Sequence, residues 1–177
     1  MESTTTNHGE GAAVATRWRL DPADSSAEFR VPHFWGLLTV KGRFKHLDGR
    51  LDADHDGPRR VELTIDASSV STRNRRRDQH LRSADFFDVD RHPQVRFRST
   101  AIRAGTDGSV RVDGELTAAG GRVTLSLEPT VDQTDDRLLI DARTTIDQRQ
   151  LGITWSPLGM TRAPVAVHVH AVLCPER

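Results

Sequence analysis

The side chains of this chain best equipped for chemistry are its histidines and the acids and arginines around them. The stretch "VAVHVHAV" sets His168 and His170 two residues apart. Residues so spaced on a strand point the same way, so two imidazoles would share a face and could bind zinc. A zinc site also needs a third donor and an ordered set of hydrogen bonds behind its ligands, and nothing in the sequence fixes either. We therefore read the pair as a polar outer face opposite Val165, Val167 and Val169, and assign no metal and no cofactor. A second cluster, "RNRRRDQHLR", holds Arg77, Asp78, His80 and Arg82. On a helix, Asp78 and His80 would point about 200° apart, which argues against a local acid–base dyad. No nucleophile elbow, phosphate loop or His-Glu-x-x-His motif occurs, the arrangements by which common hydrolases and nucleotide enzymes are recognised. No catalytic residue is assigned and the chain is read as a non-enzyme. The alternative is a barrel enzyme of cyclase or isomerase type acting on a hydrophobic substrate. It would draw its acid and base from distant strands, for instance His33 with Asp78 or His80, in an apolar chamber that shifts their pKa values.

The charge balance narrows the partners. Lysine plus arginine equals aspartate plus glutamate at 25 each, so no whole-molecule field draws the chain to nucleic acid or an anionic membrane. "RNRRR" is short and lacks interleaved aromatics, so it reads as a solvated helix face rather than a nucleic-acid patch. The single cysteine, Cys174, lies three residues from the end and has no internal disulfide partner. The start, "MESTTTNHGEGAAVAT", has neither a basic n-region nor a continuous apolar run, the features of a secretory signal. No later run approaches the roughly 20 apolar residues of a membrane span. The expectation is a cytoplasmic protein without membrane insertion, with a flexible tail over residues 1–16 and one domain over 17–174, since 177 residues suit one core.

The elements that would position these side chains show a period of two. "VELTIDA" places Val61, Leu63, Ile65 and Ala67 on one face, and "VRFRST" places Val95 and Phe97 against Arg96 and Arg98. "VRVDGEL", "RVTLSL", "LLIDARTTI" and "VAVHVHAV" repeat the scheme, "AEFRV" and "LTVKGRF" precede them, and "TRWRL" reads as a short edge. Turn signals separate the runs at Asp21-Pro22, Asp48-Gly49, Asp56-Gly57-Pro58, Asp107-Gly108, Gly120-Gly121 and Asp135-Asp136. Short turns make an antiparallel meander of roughly eight strands, because parallel neighbours need crossovers of a dozen or more residues. Such a sheet either forms a sandwich or closes into a barrel, and periodicity alone leaves both open.

One stretch breaks the alternation. "STRNRRRDQHLRSADFF" predicts a helix of two or three turns capped by Thr72 or Asn74. Leu81 and Ala84, three apart on one face, would let it lie over an opening of the sheet. Phe86 and Phe87 then supply apolar mass before Pro93 directs the chain into an extended strand.

The order "STRNRRRDQHLRSADFFDVDRHPQVRFRST", then "VDGELT" and "IDQRQLGI", resembles the YceI-like family of lipocalin-like, polyisoprenoid-binding barrels. The front half, "WRLDPADSSAEFRVPHFWGLLTVKGRFKHLDGRLD", is similar to that family's opening strands, with a histidine after the second and Gly-x-Phe after the third. The resemblance runs from about Trp18 to Val172. It implies an all-β fold, an eight-stranded antiparallel lipocalin-like β-barrel with one short helix near an opening. A long internal pore would bind, carry or sequester a polyisoprenoid, isoprenoid quinone, prenyl pyrophosphate or fatty amide, and a homodimer is expected. Two departures stand out: "LTAAGGRVTL" shortens a middle turn and lacks its Thr and Pro, and the secretion signal of many relatives is missing.

From pattern alone the apolar faces read as a filled core; the resemblance turns them toward a ligand. The residues expected to line the pore are Phe29, Val31, Phe34, Trp35, Leu38, Val40 and Phe44 from the front half, Phe86, Phe87, Phe97 and Leu116 from the middle, and Ile140, Ile153 and Trp155 from the end. His33, Arg77, Asp78, His80 and Arg82 are the candidates for the polar end of an amphiphile, with His33 and Asp78 equally suited to structural roles.

Overall fold

The computed structural model of the protein describes residues 16–33, 38–134, 136–154 and 164–176. Alternating apolar and polar side chains produce twelve strands there, all in one sheet. Strands β1 (Thr16–Leu20) and β2 (Ser26–His33) form one bent run, and β3 (Leu38–Phe44) and β4 (Leu47–Asp54) a second that pairs along it. β5 (Gly57–Asp66), the two-residue β6 (Val70–Ser71), β7 (Gln94–Ala104), β8 (Val110–Ala118) and β9 (Gly121–Leu127) continue the meander. β10 (Thr130–Gln133) pairs with β11 (Leu138–Ile146), which pairs with β12 (Val165–Pro175). The hydrogen-bonded order is β6-β3-β2-β12-β1-β4-β5-β7-β8-β9, with β11 also on β12 and carrying β10.

Two bent runs together with β5, β7, β8, β9, β11 and β12 make up the eight runs expected from periodicity; β6 and β10 are additional. The expected strand count is corrected to twelve, because bends at residues 21–25 and 45–46 divide the first two runs. A second correction concerns closure: among the described residues no ladder joins β9 to β11. The sheet nevertheless curls, since residues from both ends of the pairing order line one cavity. A sandwich of two separate sheets is thereby excluded. Register shifts at Asp52/Ala53 and Ser99/Ala101 assist the curl, as an extra residue bends and twists its strand.

Several local expectations also change. "TRWRL" is not an edge: β1 lies between β12 and β4, and Trp18 and Leu20 are buried. Thr16, assigned to the tail, opens β1, while residues 1–15 fall outside the described set, as does Asp135. Asp48-Gly49 is not a turn but lies within β4, where a Cβ on Gly49 would meet the Glu62 carbonyl oxygen at 3.1 Å and Leu20 Cδ1 at 3.2 Å. Close approach, not reversal, explains that glycine. The β8–β9 hairpin turns at Ala119-Gly120, both with positive φ (50° and 80°), the conformation that a two-residue type I′ turn requires.

Candidate binding cavity

The inward faces leave a cavity of about 1340 Å³, above the roughly 300–1,000 Å³ of most small-molecule pockets. Its wall is dominated by aliphatic and aromatic side chains. β2 contributes Phe29 and Val31, β3 contributes Val40 and Phe44, and β7, β8 and β11 contribute Phe97, Leu116 and Ile140. Ile153 follows a 3-10 turn at Gln148–Leu151, and Phe86 and Phe87 follow the helix. Phe34, Trp35 and Trp155 lie outside the described residues, and His33 and Leu38 are placed only as the facing ends of β2 and β3. The residues expected to line the pore did not include Trp18, Leu51, Ile65, Val112 and Val167, which also line the cavity. Their signal was present: each is the inward member of an alternating run.

Glycine keeps the lumen open. Phe29 pairs across the ladder with Gly42, and a Cβ on Gly42 would fall 2.2 Å from Phe29 Cζ. A Cβ on Gly114 would fall 2.4 Å from Phe97 Cζ. Both rings therefore lie back against bare backbone instead of projecting into the cavity.

Helix α1 (Arg75–Arg82) covers one end, with Asn74, Arg76, Arg77, His80 and Leu81 among the lining. Asn74 caps it, its side-chain oxygen accepting from the Arg77 N–H at 3.1 Å. Asp78 turns away from the cavity into a buried position, accepting from the Thr72 backbone N–H at 2.7 Å and hydroxyl at 2.6 Å. Arg77 donates to the same Thr72 hydroxyl at 2.7 Å and to the Thr72 carbonyl at 3.1 Å. Arg82 donates to the carbonyls of Ser68 (2.6 Å) and Val70 (2.9 Å), fastening the helix to the β5–β6 connection. Asp78 and Arg82 thus hold the helix, while Arg77 and His80 face the cavity mouth.

The Leu81–Ala84 face expected from spacing does not form: the helix ends at the Ser83 cap and Ala84 is exposed, leaving Leu81 alone on the cavity side. The aromatic pair takes over. Phe87 packs edge-on against Phe44 with centroids 5.5 Å apart, and Phe44 meets Phe29 at 5.7 Å. Phe86 stands edge-on to His80 at 5.1 Å, and His80 Nε2 lies 2.9 Å from an Asp85 carboxylate oxygen. Asp78 and His80 are divided between two partners, in keeping with their opposed directions on the helix.

Away from the cavity, on the outer wall, Asp141 stands between two imidazoles: His168 Nε2 is 2.7 Å from one carboxylate oxygen and His170 Nδ1 is 3.0 Å from the other. The hydrogen bond from His168, then that from His170, holds the Asp141 carboxyl below its ordinary pKa. Elsewhere, Asp54, His55 and Asp56 bring three donor atoms within 4.8 Å of one another. Both of those carboxylates are engaged by Arg59, at 2.5 and 2.6 Å. No helix among the described residues is long and apolar enough to cross a membrane.

A single curled antiparallel sheet around an apolar cavity, with a short helix at one end, defines an all-β fold of lipocalin-like type. The YceI-like domain model matches residues 18–173, and the chain belongs to that family. Protein YceI of Shigella flexneri is 36% identical over 131 residues, 71% of this chain and 68% of that protein. Among solved structures, BcnA of Burkholderia cenocepacia superposes with a TM-score of 0.78 at 23% identity, covering 86% of this chain and 98% of its own. A polyisoprenoid binding domain from Saccharophagus degradans does so with 0.72 at 17% identity, covering 90% and 98%.

Proposed function

We propose that the protein binds and carries, or sequesters, one long apolar or amphiphilic molecule within the cavity. The observation that carries this reading is the cavity itself: about 1340 Å³ with a wall of strand residues that would have filled a smaller core. A barrel packed solid by its own side chains would have left no such space. Each methylene buried there contributes roughly 0.8 kcal/mol, so a chain of isoprenoid length is held without any polar contact. The fold of the Saccharophagus degradans polyisoprenoid binding domain supports the same ligand class.

A polar group would sit at the α1 end, where Asn74, Arg76, Arg77 and His80 line the mouth. Prenyl phosphate, quinone or fatty amide would meet donors there, and Arg77 is pre-oriented by Thr72. Catalysis forms no part of this reading. Organic extraction of freshly purified protein followed by mass spectrometry tests it. A stoichiometric long-chain compound, recovered chemically unchanged after rebinding, is expected. Repeated recovery of none, together with failure to bind prenyl and alkyl probes, would overturn it.

A further inference from the structure

The outer wall carries a second assembly of donors, of which only Glu28 also borders the cavity. His168 and His170 share one face of β12, and their neighbours on the adjoining strands are acids. Asp141 of β11 is paired in register with His170, and Glu28 of β2 with His168. Directly opposed residues on antiparallel strands have Cβ atoms about 4.5–5.5 Å apart, so two imidazoles and two carboxylates form a compact quartet across three strands. Asp141 already contacts both rings. Glu28 is half-buried, yet it has no hydrogen-bond or ion-pair partner among the described residues. The two imidazole side chains are each 33% exposed, open to an ion arriving from solvent.

We propose that this quartet is a divalent transition-metal site, with His168, His170 and Asp141 as ligands and Glu28 as the fourth donor or the acceptor for a bound water. The donor set is the argument. Imidazole with carboxylate suits zinc, nickel and copper(II), whereas calcium and magnesium prefer all-oxygen sites. Ligand atoms at about 2.0–2.1 Å from a tetrahedral ion lie roughly 3.3 Å from one another. His168 Nε2 and His170 Nδ1 lie 2.7 and 3.0 Å from the two Asp141 oxygens, but the three side chains as placed do not bring one donor atom each within 4.8 Å of one another, so both imidazoles must rotate to meet an ion. The two rings now rest on different oxygens of one carboxylate; capture of an ion turns the three side chains toward a common point on backbone positions that are already adjacent. Arg43 opposite Glu28, Arg143 opposite His168 and Arg30 two residues along β2 from Glu28 flank the patch and outnumber its two acids, so a cation would be held by the donor atoms themselves and not by the local field. The motif visible in sequence was His-x-His; the missing third donor comes from a strand 27 residues earlier than His168. A bound ion would also pin β11 to β12 and β2, and β11 is the strand with no ladder to β9.

The test uses tag-free full-length protein, stripped with chelator and titrated with zinc against a chromophoric competitor. One zinc per chain is expected, with affinity falling at least ten-fold in His168→Asn, His170→Asn and Asp141→Asn. A smaller loss is expected in Glu28→Gln, and none in the Asp54→Asn/Asp56→Asn double variant. Should a variant fail to fold, the wild-type protein still decides: melting temperature should rise with zinc concentration, and cobalt(II) should give the visible bands of a four-coordinate site. Binding that survives in the His168→Asn/His170→Asn double variant, or the absence of both the zinc-dependent rise and the cobalt bands, would overturn the assignment. Ligand loading of the cavity plays no part in either outcome.

Discussion

Gly42→Ala offers a way to narrow the cavity from its wall. The new Cβ would fall 2.2 Å from Phe29 Cζ and 2.7 and 2.9 Å from two further ring carbons, far inside contact distance. These atoms are the tip of a side chain rather than backbone, so the ring can swing, and the free direction is inward. Had the ring been trapped, overpacking would cost about 1–3 kcal/mol of stability. Release into the lumen avoids most of that and transfers the penalty to the ligand. A six-carbon ring displacing three or four methylene equivalents, at roughly 0.8 kcal/mol each, removes about 2.5–3 kcal/mol of binding, on the order of a hundred-fold in Kd. The assay is a series of prenyl or alkyl probes of increasing length, followed by tryptophan fluorescence, to which Trp18 in the cavity wall contributes. Long probes should weaken by that factor and short ones little, with the melting temperature nearly unchanged. Gly114→Ala should repeat the effect through Phe97. Equal affinity across the whole series in a folded Gly42→Ala variant would refute the claim that these glycines set the calibre of the lumen.

Three further outcomes follow from the same geometry. Asp78→Ala strips the Thr72 N–H and hydroxyl of their shared acceptor; with hydrogen bonds to charged groups contributing about 1.5–3 kcal/mol, urea unfolding should show a loss of roughly 2–4 kcal/mol. Gly121→Ala places a Cβ 2.3 Å from the Leu151 backbone carbon, where no side chain can yield; a clear fall in melting temperature should exceed that of Gly42→Ala. Asp141, held below its ordinary pKa by His168 and then His170, contributes stability that is present above the unfolded value near 3.9 and lost as pH falls through the lower folded one. In chelator, the difference in melting temperature between wild type and Asp141→Asn should therefore persist at pH 6 and shrink below pH 4; a gap unchanged at pH 3 would contradict the role of that carboxylate.

Most of the wall was legible because alternation reports facing directly. Val61, Leu63 and Ile65 were placed on one face by spacing, and all three line the cavity. The helix was legible from the loss of alternation and from two candidate caps, Thr72 and Asn74, of which the structure uses Asn74. What spacing could not reveal was long-range pairing. Nothing in "TRWRL" shows that β1 will be covered on both sides, since its partners are 31–37 and 153–157 residues away. Gly49 looked like a turn because glycine serves both reversal and close approach, and only the neighbour Leu20 decides between them. Ala84 was assigned to a helical face that ends at Ser83, a boundary set by backbone hydrogen bonds from Ser83 to His80 and from Phe87 to Leu81. In the polar cluster the residue types were evident but their division of labour was not: Thr72, read from the sequence only as a candidate cap, decides that Asp78 supports the helix and that Arg77 is held in place.

The most direct measurement is site mapping with a photoreactive long-chain probe. After irradiation and proteolysis, labels are predicted on inward residues such as Phe29, Phe97 and Ile140, and on Arg77 or His80 when the reactive group is moved to the polar end. Labels confined to the outer wall, on residues such as Arg96, Arg98 or Arg143, would contradict carriage inside the sheet.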